Sequence, residues 1–439
     1  MKNDTRKVYL MLIIITVLAW GGTISRYFQS NADYKNAIEK AVAYEEKEIY
    51  IDALAYYKKA RETKPEDYGL VMKVADMYYN LRDMNGFLQY CDKAIELQPK
   101  NEEAYLKKID YYMSRSSYSS VSKVLEQAEK KIKDNEKLAE VKQRLATTCI
   151  EKYVSFEDIG SWRVQENSDY VAIKEDGKWG LAVKDGTQKI RPAYDYIGAF
   201  DERTGVAPCL YEGEYYYIDR NGYRKLVGLE TYSYLGAFGN DYAPAQRNNR
   251  YGYIDTAFNE YNFEYEFAGA FANGVAAVKK DGKWALINSK LKLVTDFKYD
   301  EILVDSNGFC SQFSVIVARQ GDKYMFINHE GKNLSAQSFD GASMAASDNG
   351  YIAVKIADQW GYADAEGNIV IKPKYEEAGS FCLGMAPVKR NGTWGYISIE
   401  DKMVVDNRFS DAKVFSINGA AAVERNGSWK MLVLCEYDN

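Results

Sequence analysis

Histidine is all but missing from this 439-residue chain, which has only His329. Imidazole is the commonest metal ligand and the usual general base near neutral pH, so histidine-built metal cages and most nucleophile–base triads lose their customary member. The six cysteines, at 91, 149, 209, 310, 382 and 435, stand far apart with no CxxC pair. That excludes the spacing of zinc and dithiol motifs. No disulfide is expected, because a chain this long can build its own core and buried thiols serve there as small hydrophobes. A basic footprint is absent too: 57 Lys+Arg face 63 Asp+Glu, and the acidic excess lies in residues 151–439. Nucleic acid is therefore not an expected partner. Neither a Walker loop, a GxSxG elbow nor an HExxH pair occurs. No catalytic residue, cofactor or metal site is expected.

Among the features present, length comes first, since 439 residues exceed one hydrophobic core and imply several units. Between Lys7 and Arg26 no charge occurs. A helix over residues 8–25 would span ~27 Å, close to the thickness of a bilayer core. Lys2, Arg6 and Lys7 also resemble the basic start of a signal peptide, but no A-x-A site follows. The expectation is an uncleaved signal-anchor in residues 1–30, a single-pass transmembrane helix in the cell membrane with the bulk of the chain outside the cytoplasm.

From residue 31 the sequence repeats itself every 34 positions: Ala41 and Ala75; Tyr44, Tyr78 and Tyr112; Ala60, Ala94 and Ala128; Pro65 and Pro99. Small residues let two helices approach, aromatics fill the seam and proline stops the second helix. This resembles the tetratricopeptide repeat family, with units near 34–67, 68–101 and 102–135. The third unit departs from the pattern with Ile109, Val121 and Lys133, and residues 136–153 read as a capping helix, giving a helical domain over 31–153. The resemblance implies an α-solenoid whose first helices line a peptide groove. Carried over by position, that groove holds Met72, Asp76, Tyr79, Leu106, Asp110 and Met113. The Lys/Asn carboxylate clamp of chaperone-binding members is missing, so a chaperone tail is not the expected ligand.

After residue 150 short alternating strands and glycine turns take over. An aromatic follows one turn of each unit, at Trp179, Tyr215, Tyr251, Trp284, Tyr324, Trp360, Trp394 and Trp429, with spacings between 33 and 40. Asp-Gly at 281–282 and Asn-Gly at 391–392 and 426–427 suit type I′ hairpin turns. The units resemble the bacterial WG-containing repeat family, whose pattern is nearly complete at 353–379; Trp-Gly survives at 179–180, 360–361 and 394–395. Gly becomes Ala285, Met325 and Lys430 elsewhere, and the second unit has Tyr215–Tyr216, which puts turn geometry there in question. The last unit stops early, while residues 155–162 match 375–381. An N-terminal segment that completes the final unit is the usual way to close a β ring. The expectation over 154–439 is an all-β, eight-unit, propeller-like ring, with an open β-hairpin solenoid as the rival.

Acidic pairs such as Asp300–Glu301 and Glu376–Glu377 superficially match a glycosidase, but they recur in register with Glu157–Asp158 and read as structural. DRNG (219–222) and DAEG (364–367) read as turns rather than calcium loops, His329 as an exposed turn residue, and Cys310 and Cys382 as buried hydrophobes. Off-register Tyr232, Tyr234 and Tyr242 are candidates for a ligand face. Together these features predict a membrane-anchored, non-catalytic interaction protein of the bacterial cell envelope. A protein or peptide, or a glycan, would be held through the groove and the WG-repeat face, with an envelope enzyme acting on glycan or peptide as the alternative.

Overall fold

The computed structural model describes residues 29–160, 170–226, 231–311, 313–348 and 350–437. Two compact units divide at Leu145 and Ala146. Among the described residues the first contains seven helices: α1 (29–45), α2 (Tyr50–Thr63), α3 (Tyr68–Asn80), α4 (Met84–Leu97), α5 (Glu103–Ser114), α6 (Tyr118–Glu129) and α7 (Glu136–Ala146). Ala41, Ala53, Ala60, Ala75, Ala94 and Ala128 are fully buried, so the period of 34 is a period of helix contacts. Helix starts are fixed by side chains. Asp67 accepts from Leu70 N–H, Asp83 from Gly86 N–H and Asn135 from Leu138 N–H, each satisfying a donor that the first turn leaves open.

One component of the expected architecture is corrected. The anticipated membrane-spanning segment, residues 8–25, lies outside the described residues, and among the described residues no helix is long and apolar enough to cross a membrane. The reason is geometric: the longest of α2–α7 has 14 residues, ~21 Å, short of a bilayer core. The fold is thus a helical region followed by an eight-bladed β-propeller. The described residues thus include no transmembrane helix, and membrane contact through one is not supported. The strand Cys149–Phe156 also claims residues that the helical cap was expected to hold, because they pair with Ser428–Leu434 instead of extending α7.

The propeller has eight sheets: blade 1 (158–194), blade 2 (196–225), blade 3 (234–265), blade 4 (267–299), blade 5 (301–339), blade 6 (341–375), blade 7 (377–409), and blade 8, made from 411–434 plus Cys149–Phe156. Each blade begins with a two-residue inner strand and continues outward through a hairpin whose third strand carries the register aromatic. In blade 8 the outermost strand comes from the other end of the sequence: Cys149–Phe156 pairs antiparallel with Ser428–Leu434, Phe156 opposite Trp429. The same pairing joins Tyr375 to Trp360 and Phe409 to Trp394. The ring is closed, and no edge strand is left at the seam, which overturns the open solenoid.

The Trp-Gly pair has a steric cause. At Gly361 and Gly395 an added Cβ would stand 2.5 Å from the Ile371 and Val405 carbonyl oxygens of the outer strand, which bulges over the glycine. Blades 4 and 5, with Ala285 and Met325 at that position, keep only isolated bridges in place of a regular outer strand, among them Trp284 to Tyr299 and Tyr324 to Phe339. Blade 8, with Lys430 there, keeps the full outer strand Cys149–Phe156.

Candidate functional site

The repeated polar groups of the ring hold blades together. Asp300 takes Lys283 from blade 4 and the Gly321 N–H of blade 5 (2.7 Å); Asp340 takes Lys323 and the Ala357 N–H (2.7 Å). Glu157, Glu266 and Glu376 likewise accept from the turn amides of Gly177, Gly282 and Gly392. The acidic pairs that superficially match a glycosidase are therefore clamps spread over separate blades rather than gathered in one pocket. Lysine hydrogen bonds first, and the turn amides next, hold the Asp300 and Asp340 carboxyls below the usual range. The turn aspartates act similarly: Asp219 Oδ1 accepts from Asn221 and Tyr223 N–H, and Asp364 Oδ1 from Glu366 and Asn368 N–H.

Two residues after the register aromatic a buried phenol often crosses to the next blade. Tyr217 donates to the Gly236 carbonyl (2.9 Å), Tyr253 to that of Gly269 (2.9 Å) and Tyr396 to that of Lys413 (2.7 Å). Tyr362 reaches Pro387 O at 3.4 Å. The corresponding residues in blades 1, 4, 5 and 8 are Leu181, Leu286, Phe326 and Met431, which have no hydroxyl. Cys310 and Cys382 are buried, and burial pushes both thiols up to about 12, so neither is a ready nucleophile. His329 is half-buried rather than exposed, with Nε2 2.6 Å from Ser311 Oγ.

On the helical unit, the expected groove residues fall on α3 and α5 and divide by exposure. Met72 is buried in the core. Tyr79 and Asp110 are exposed, Leu106 and Met113 are half-buried, and Asp76 pairs with Lys107. Sequence periodicity missed the charges that tie the first helices together: Lys73 of α3 bonds Glu45 of α1 (2.8 Å), and Lys107 of α5 bonds Asp76 of α3. Burial raises the Glu45 pKa, but hydrogen bonds from Lys73 and Tyr57 outweigh it and the carboxyl ends below its ordinary value. The same charges recur at 34-residue steps, Lys73 with Lys107 and Asp76 with Asp110, giving this face a polar stripe beside Tyr79, which stacks edge-on against Phe87 (5.2 Å).

On the propeller, an aromatic ladder runs across blades 2 to 4 at the face bearing the hairpin turns. Inner-strand residues Tyr234 and Phe267 interleave with register residues: Tyr215 to Tyr234 5.8 Å, Tyr234 to Tyr251 5.7 Å, Tyr251 to Phe267 5.9 Å, Phe267 to Trp284 5.1 Å. All are half-buried. In blades 5, 7 and 8 the inner position is acidic and ion-paired, as Glu301–Arg319, Glu377–Lys389 and Asp411–Lys413. Of the off-register tyrosines, Tyr234 belongs to this ladder, Tyr232 is buried with its hydroxyl on Glu260, and Tyr242 packs on Tyr261.

At the axis the ring is plugged. The 40-residue spacing before Tyr324 reflects extra residues in blade 5, and these cross the centre: Asn307 Oδ1 accepts from the Ala199 N–H of blade 2 (3.0 Å). Phe309 is buried among Ala199, Ala237, Ala270 and Ala272. Beside the plug lies a cavity of about 350 Å³, lined by Trp179, Leu181, Tyr196 and Phe200 with Asn307 and Lys413 at polar positions. The long spacing was visible in the sequence; where the insertion reached was not.

The WG-containing repeat family matches residues 251–284, 285–324, 360–394 and 394–429. The Arabidopsis OM64 TPR domain is similar at 19% identity and TM-score 0.23, covering 26% of this chain and 95% of that one. A yeast structure described as the TPR2B-domain:pHsp70-complex of Sti1 is similar at 23% identity and TM-score 0.22, covering 26% of this chain and 92% of that one. A eukaryotic initiation factor is similar at 12% identity and TM-score 0.40, covering 61% of this chain and 83% of that one. No curated protein matches. The family matches within 251–429 support a WG-repeat protein.

Proposed function

We propose that this chain is a non-catalytic interaction protein, with tetratricopeptide-like helix pairs that grip an extended protein segment and a WG-repeat propeller that forms a rigid second face. One observation carries the reading: the ring's recurring carboxylates are consumed as blade clamps, which leaves the groove side chains and the aromatic face for a partner. Tyr79 is the natural anchor of the groove, since exposed aromatics beside charged rims dominate protein contacts. Charge on the stripe selects the partner more than it tightens binding.

A photo-crosslinking residue at Asp110, compared with one at the exposed Lys130 of α6, tests this in cells expressing the full chain. A discrete protein adduct from position 110 that disappears with Tyr79→Ala supports the reading. Equal labelling from both positions, or an adduct indifferent to Tyr79→Ala, overturns it.

A further inference from the structure

Four of the eight junctions lack the crossing phenol, at Leu181, Leu286, Phe326 and Met431, and two of these junctions flank blade 1. In regular junctions a tyrosine of one blade donates to the inner carbonyl of the next, as Tyr217 does to Gly236 and Tyr253 to Gly269. From blade 8 to 1 and from blade 1 to 2 that residue is Met431 and Leu181, so the carbonyls of Gly160 and Gly198 receive no phenol. Both glycines line the axial cavity, and so does Leu181. An added Cβ at Gly198 would stand 2.7 Å from the Tyr196 hydroxyl, which places that oxygen over the glycine at the cavity wall.

Three further features give this cavity ligand character. The Tyr196 hydroxyl is buried without a well-formed hydrogen bond, even though Tyr234 is close by, and burial keeps it protonated as a donor. Trp179, Tyr170 and Phe200 supply aromatic surface, with Tyr170 and Phe200 5.6 Å apart. Ser306 and Asn307, carried across the axis by the blade 5 insertion, add polar groups on one side, and Lys413 stands at the rim with Nζ held by Asp411 (2.7 Å) and over the Trp429 ring (4.7 Å).

We propose that this cavity binds a saccharide unit, either a free sugar or the end of a glycan. Aromatic faces take the C–H face of a pyranose, while its hydroxyls donate to the Gly160 and Gly198 carbonyls and accept from Tyr196 and Asn307. A cationic ligand would meet Lys413, and a purely apolar one would bury the glycine carbonyls and the phenol unpaired. The volume is at the small end of ligand cavities and holds one or two sugar rings. The site goes beyond the protein-interaction reading, which uses other side chains.

Titrating the full chain with glucose, N-acetylglucosamine, galacturonate and the β-1,4-linked dimer of N-acetylglucosamine, read by tryptophan fluorescence and saturation-transfer NMR, tests the site. The expected result is saturable binding of at least one probe, weakened at least tenfold by Leu181→Tyr, which restores the phenol and fills the cavity. Stronger binding of the dimer than of its monomer identifies a glycan end; equal binding identifies a free sugar. If Leu181→Tyr does not fold, Ser306→Trp at the exposed rim replaces it, with the same loss expected. No saturable signal from any probe, or binding that survives the folded cavity-filling variant, overturns the proposal and leaves cross-linking at Asp110 unaffected.

Discussion

Blades 6 and 7 and the surroundings of blade 1 are built from one repeat yet end with opposite inventories. In blades 6 and 7 the Trp-Gly-Tyr triplet is intact. The glycine admits the outer-strand bulge, and the deep phenols of Tyr362 and Tyr396 reach backbone carbonyls. Around blade 1 the Trp-Gly pair is kept at 179–180, but Leu181 and Met431 replace the phenols, and a cavity opens at those junctions. The motif is thus a packing code. Where it is complete, its polar groups are spent on neighbouring blades; where it lapses on both sides of blade 1, backbone and aromatic surface line a cavity.

The largest effect should come from the seam. Deleting residues 149–156 removes the outer strand of blade 8 and exposes the edge of Ser428–Leu434. The expected outcome is loss of the propeller's cooperative thermal transition by calorimetry, and a transition of unchanged midpoint would show that closure does not hold the ring. Next is the plug: Phe309→Ala leaves a void among four alanines and should cost about 3–5 kcal/mol in urea unfolding. The comparison itself is sharpened by a smaller pair. Tyr396→Phe orphans the Lys413 carbonyl and should cost about 1–2 kcal/mol, whereas Leu181→Tyr should stabilise, because it supplies a donor that the ring lacks. Equal effects of the two substitutions would break the contrast between regular and lapsed junctions.

Much of this architecture was legible because repeats announce themselves at fixed spacing. The eight register aromatics, the closure by residues near 155 and the alanine contacts of the helix pairs all follow from periodicity. The site was less legible for the same reason. Periodicity identifies Leu181 as one more apolar residue at a strand position, and only the neighbouring Gly198 carbonyl makes it a missing donor. Similarly, Met72 shares its helix face with Asp76 and Tyr79 by spacing, yet it is buried because the adjoining helix covers that turn. The Asn307 contact with Ala199 joins residues 108 apart, beyond any local pattern.

The smallest predicted effect concerns acid. Asp300 and Asp340 lie below the ordinary carboxyl range when folded, because a lysine of one blade and a turn amide of the next favour the charged form. In the unfolded chain they titrate near ~3.9. A folded pKa below the unfolded one stabilises fully above that unfolded value, and the contribution is lost as pH falls through the folded one. The urea midpoint of the propeller should therefore be insensitive to these two clamps between about pH 5 and 8 and decline below about pH 4. Because the clamps are solvent-exposed, the decline should be modest and should shrink further in high salt. The double variant Asp300→Asn, Asp340→Asn keeps side chains able to accept from the Gly321 and Ala357 amides but removes the charge. It should lower the midpoint slightly near neutrality and flatten the acid limb; an acid limb identical to the parent's would assign the pH dependence to other carboxylates and reduce the clamps to turn-shaping hydrogen bonds.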